Sequence, residues 1–99
     1  MISGIRYEDK THKAALNFVE KKVSGDMYSD ILMVIDNSEN CYDFEITDSP
    51  KGEFQEEDYH HLKGIWVDQN GGGFSGDSFQ GTVSIEITKN EYLTFRYWM

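Results

Sequence analysis

From Phe79 to the C-terminus the chain alternates with period two. Val83, Ile85 and Ile87 interleave with Thr82, Ser84, Glu86 and Thr88. After Lys89-Asn90-Glu91, Leu93, Phe95 and Tyr97 interleave with Thr94, Arg96 and Trp98. Alternation of this kind puts one apolar and one polar face on a strand, and two such runs joined by a short polar turn form a hairpin. The rest of the chain has to supply cover for that hairpin's apolar face.

Two earlier segments answer to that need. Ala15, Leu16, Val19 and Val23, with His12 on the same face, fall at helical spacing and predict a helix over about residues 9–24. Asp9 or Thr11 is placed to cap it, Lys21 and Lys22 complement its C-terminal dipole, and Gly25 is placed to close it. From Tyr28 to Ile35 the run Ile31-Leu-Met-Val-Ile, apolar on both faces, reads as a central strand beneath that helix. Tyr42, Phe44 and Ile46 alternate with Cys41, Asp43 and Glu45 in a further strand. The turn Asp36–Asn40 precedes that strand, and Thr47–Gly52 breaks it. Residues 53–61 read as an acidic loop or a single helical turn, Leu62–Asp68 as a strand, and Gln69–Gly73 as a loop. The expected fold is α+β: an N-terminal helix packed on an antiparallel sheet of about five strands, in one domain over residues 1–99. An exposed final strand, Tyr92–Trp98, would be able to pair edge to edge.

Charge is what restricts function. The chain carries 18 acidic and 9 basic side chains, net −9. Yet Ile, Leu, Val and Phe make up 23 of the 99 residues, enough for a folded core. Residues 1–25 are net +2, residues 26–80 carry thirteen acidic groups against Lys51 and Lys63, and residues 81–99 balance. The acidity is therefore expected on one side of the molecule, on the middle strands and their loops. Direct binding to nucleic acid or to an anionic membrane is disfavoured, because like charge repels phosphate. The N-terminus has no apolar signal region, no apolar run would span a membrane, and Cys41 is the single cysteine. A cytoplasmic location is the expectation.

Candidate chemistry is thin. His60 and His61 point apart in an extended chain, which argues against a shared metal, although with nearby carboxylates they outline a metal-assisted hydrolase as one reading. Asp68-Gln-Asn-Gly-Gly-Gly73 begins like a calcium loop but has Phe79 where the bidentate Glu belongs. Ser75 lacks the flanking glycine of a nucleophile elbow, and Cys41 has acidic neighbours that suppress a thiolate. No enzyme, cofactor or metal is expected. Phe54, Tyr59, Trp66 and Trp98 stand beside charges, as binding hot spots do, or else they cover edges of a small core.

The acidic runs Asp36-Asn-Ser-Glu39, Asp43-Phe-Glu45 and Glu53-Phe-Gln-Glu-Glu-Asp-Tyr59, with the closing hairpin Gly81–Tyr97, carry a resemblance. The chain resembles the small acidic bacterial immunity proteins of toxin–immunity pairs, including those of contact-dependent growth inhibition. The resemblance implies one-to-one binding of a basic cognate toxin domain, such as a nuclease, whose active cleft is occluded. Independently of it, carboxylates on a rigid sheet suit a basic cleft, and Asp43, Glu45, Glu53, Glu56, Glu57, Asp58, Tyr59 and Asp68 are the expected contacts. A phage-encoded inhibitor that mimics DNA, of the anti-CRISPR kind, shares the composition.

Overall fold

The computed structural model describes residues 10–23, 25–38, 40–55, 61–69 and 80–98. Glu56, Glu57, Asp58, Tyr59, His60, the glycine-rich stretch 70–77 and Phe79 lie outside the described residues. Two helices precede a five-stranded antiparallel sheet: α1 (Lys10–Lys22), α2 (Gly25–Asn37), β1 (Asn40–Thr47), β2 (Glu53–Gln55), β3 (Ile65–Gln69), β4 (Gln80–Thr88) and β5 (Glu91–Trp98). No helix among the described residues is long and apolar enough to cross a membrane.

The α+β class stands, and α1 forms where its periodicity places it. The expected strand over Tyr28–Ile35 is instead α2. Its buried side chains are Met27, Ile31, Val34 and Ile35, an i, i+4, i+7, i+8 stripe. Five consecutive apolar residues hide that stripe, because a short apolar run is equally compatible with a buried strand and a buried helix. Gly25 opens α2 rather than closing α1, and Asp26 sits in the first turn, where the helix dipole favours a carboxylate. At the other end Ser38 donates its hydroxyl to the Val34 carbonyl, 2.8 Å away. One consequence corrects the charge reading: Asp26, Asp30 and Asp36 ride on α2, so the acidity is not confined to the sheet and its loops.

Sheet order is β1-β5-β4-β3-β2. The C-terminal hairpin forms the centre, so Tyr92–Trp98 is interior and has no free edge. Its turn places Asn90 at φ 67°, a left-handed conformation that Asn tolerates. One face of the sheet presents Phe44, Val83, Ile85, Ile87, Leu93 and Phe95 to the helices, in a single core with Ala15, Val19, Ile31 and Ile35. Tyr97 belongs to that core, and burial, reinforced by the charge on Asp68, pushes its phenol above the ordinary value. Tyr28 shifts the same way, through burial and then Glu20.

These shifts have a definite sign. A raised folded-state value means that the stabilisation is intact below the unfolded value of about 10 and is lost as pH climbs through the folded one. Tyr97→Phe is expected to flatten the alkaline fall of stability in urea unfolding measured from neutral to strongly basic pH. Identical slopes for the two proteins would contradict this burial of the phenol.

The β1–β2 connection decides the shape of the other face. These strands lie on opposite edges, four inter-strand spacings or about 19 Å apart. Six residue steps from Thr47 to Glu53 reach at most about 20–22 Å. Residues 48–52 therefore cross the face that the helices leave open, with Lys51 over Ser84 of β4.

Candidate functional site

Strand pairing assigns the residues of the open face. Arg96 stands beside Tyr42 and Thr82, Thr94 beside Glu45 and Ser84, Trp66 beside Ser84 and Phe54, and Asp68 beside Thr82. Across its middle runs the 48–52 strap, held by a chain of hydrogen bonds. The Lys51 N–H donates to Ser84 Oγ (3.1 Å). Ser84 Oγ lies 2.9 Å from Thr94 Oγ1, which lies 2.8 Å from Thr47 Oγ1. Thr47 then donates to the Ser49 carbonyl (2.9 Å). The two ends fix the direction of the middle bonds: Ser84 must donate to Thr94 and Thr94 to Thr47, so each hydroxyl donates once and accepts once. Ser84 and Thr94 are buried polar groups satisfied by this staple, which begins and ends on the strap.

The strap divides the open face into two compartments. On one side lies a cleft of about 520 Å³ lined by Asp43, Glu45, Asp68, Lys51, Arg96 and the hydroxyls of Thr11, Thr82 and Thr94. Asp43 reaches it from a β-bulge between Tyr42 and Glu45, at φ 55°. The extra residue bends β1, and the Phe44 N–H is taken by Thr11 Oγ1 of α1 at 2.8 Å. That bond also occupies a donor in mid-strand on β1, one of the two sheet edges. Arg96 lies over the Tyr42 ring, its guanidinium carbon 5.7 Å from the centroid.

On the other side is an aromatic row. Phe54 and Trp66 meet edge to face with centroids 5.3 Å apart, and Trp66 and Tyr92 do so at 5.5 Å. The last two bridge over β4 where Ser84 is small. Gly64 sits beneath, since a Cβ there would come within 2.8 Å of Trp66 Cη2 and 3.3 Å of Phe54 Cε1. Phe54 is 57% exposed, and Trp98, farther along the same face, is 46% exposed.

Of the expected contacts, Asp43, Glu45 and Asp68 come together around the one cleft. Glu53 does not join them. It is exposed at the start of β2, and strand alternation turns it to the side opposite Phe54. Glu56, Glu57, Asp58 and Tyr59 lie outside the described residues. Sequence reasoning left out Lys51, Arg96, Thr82 and Thr11. Arg96 and Thr82 were legible as polar-face residues of the hairpin, but their meeting with Asp43 and Asp68 depends on strand order. His61 also finds partners on α2: its backbone N–H and Nδ1 lie 3.2 and 3.1 Å from Asp30 Oδ2, and Nε2 lies 3.8 Å from Asp26. The Asp30 contact ties the approach to β3 down onto the helix.

The open face thus presents three carboxylates and two cations around the cleft, with aromatic rings across the strap. No family model matches the sequence, and no curated protein or solved structure matches it.

Proposed function

We propose that this protein is an inhibitor of the immunity type, which binds a basic protein domain such as a toxin nuclease and occludes its active cleft with the open sheet face. The observation that carries the reading is the convergence of Asp43, Glu45 and Asp68, from opposite halves of the sheet, around one cleft. Carboxylates on strands are held at fixed spacing, so they meet a basic cleft without the entropy cost of ordering a loop. Lys51 and Arg96 within the cleft offset part of the mutual repulsion and offer donors to a partner's acceptors. The net −9 extends the attraction beyond contact distance and speeds encounter.

The test is capture of the tagged protein with its partner from the native host, followed by binding kinetics. A basic domain is expected at one-to-one stoichiometry, with its activity lost on addition of the inhibitor. Combined Asp43→Asn, Glu45→Gln and Asp68→Asn is expected to slow association roughly ten-fold at low salt and to flatten its salt dependence. A parallel Glu56→Gln, Glu57→Gln and Asp58→Asn variant measures the share of the acidic run. An acidic partner, or an on-rate and salt slope unchanged in both variants, would overturn the proposal.

A further inference from the structure

The aromatic row lies on the opposite side of the strap from the carboxylate cleft, and attraction between opposite charges gives it no role. Phe54 is more than half exposed on a strand only three residues long. Its ring is nevertheless fixed, through its contact with Trp66, the Trp66–Tyr92 contact, and the close approach of Gly64. Phe54 offers more than half of its surface to solvent, and the face of an aromatic ring is its electron-rich part. Glu86 pairs with Tyr92 on the same side of the sheet, which places a carboxylate beside the row. An exposed ring face beside a carboxylate is complementary to one kind of side chain, a planar cation. The chain already uses that chemistry on its own surface, with the Arg96 guanidinium over Tyr42 on this face.

We infer that the Phe54–Trp66–Tyr92 row is the seat for an arginine side chain of the basic partner, stacked on the outward ring face and paired with Glu86. This deepens the function proposed above and rests on it. It adds a division of labour across the strap: the carboxylate cleft governs the rate of encounter, and the aromatic row holds a guanidinium and slows release. Arginine is favoured over lysine because its planar, weakly hydrated head stacks on a ring while its N–H groups reach a carboxylate.

Trp98→Phe leaves Trp66 as the sole tryptophan, so Trp66 reports on the row directly. In this background the protein is titrated with an oligo-arginine peptide, with oligo-lysine and oligo-glutamate as references, following Trp66 fluorescence and its indole N–H resonance. Oligo-arginine is expected to move both signals to saturation, oligo-lysine to act more weakly, and oligo-glutamate to do nothing. Phe54→Ala and Phe54→Leu are each expected to weaken oligo-arginine binding roughly five-fold, since leucine restores apolar area but no π-face. Circular dichroism checks that both variants keep the fold. Neutralising Asp43, Glu45 and Asp68 is expected to weaken binding through the field while leaving the saturated Trp66 shift intact. Three results would overturn the seat: an unmoved Trp66 resonance with peptide bound, wild-type affinity in Phe54→Leu, or a Trp66 shift that follows protein concentration without peptide, which would assign the row to self-association. None of these touches the reading as a binder of a basic partner, which is judged by the captured domain and its on-rates.

Discussion

Replacing Gly52 with alanine is expected to cost about 1–3 kcal/mol and to release the strap from the sheet. Gly52 has φ +94°, a conformation that L side chains rarely adopt, and a Cβ there would be driven into the Val67 carbonyl of β3. The strap is pinned on both sides of this position, by the Lys51 N–H bond to Ser84 and by the pairing of Glu53 with Val67. Moving Gly52 pulls on Lys51, whose N–H begins the hydrogen-bond chain through Ser84, Thr94 and Thr47. Two buried hydroxyls then face water or lose partners. Urea unfolding of Gly52→Ala measures the cost, and amide exchange at Lys51 reports the release. Ser84→Ala serves as the companion variant, since it cuts the same chain without touching the backbone. A Gly52→Ala protein with unchanged stability and a protected Lys51 amide would contradict this account of the strap.

A larger loss is expected from Phe95→Ala, about 3–5 kcal/mol, which is a large part of the roughly 5–15 kcal/mol that holds a small domain together. Phe95 is fully buried on β5 and stacks on Phe44 of β1 at 5.0 Å, while the other side of that contact is His12 of α1, 4.7 Å from the Phe44 ring. Its removal leaves a cavity where helix, central strand and edge strand meet, and the surroundings relax into it only in part. Phe95→Leu, which fills most of the space, is expected to lose much less. The check is the denaturation midpoint of both variants. A midpoint for Phe95→Ala within about 1 kcal/mol of the parent would place the core elsewhere.

Elements with a clean period are legible in the amino-acid sequence. The hairpin Val83–Tyr97 and α1 form where alternation and helical spacing place them, and β1 keeps its buried Phe44 and exposed Glu45. The bulge, however, reverses the expected faces before it, burying Cys41 in the core and setting Tyr42 beside Arg96 on the open face. The segment from Tyr28 to Ile35 is not legible in this way, because a stretch apolar on every side carries no period to read. Glu53–Gln55 is not legible as a strand either. Three residues hold too little pattern, and β2 is defined by its pairing with β3 after the strap has crossed the sheet. The same limit applies to the cleft. Asp43, Glu45 and Asp68 are identifiable as charged positions on strands, whereas their convergence and the intrusion of Lys51 and Arg96 are not.

By itself the sequence determined the fold class, the apolar face of the central strands, and an excess of carboxylates that disfavours phosphate-rich partners. These are local or additive properties: periodicity is set by neighbours along the chain, and net charge is a sum. Only the tertiary structure decided that β1 and β2 lie on opposite edges, that five residues must cross the open face to join them, and that this strap separates a carboxylate cleft from an aromatic row. Those features depend on strand order, which arises from contacts between residues far apart in sequence and leaves no periodic signal in any one segment.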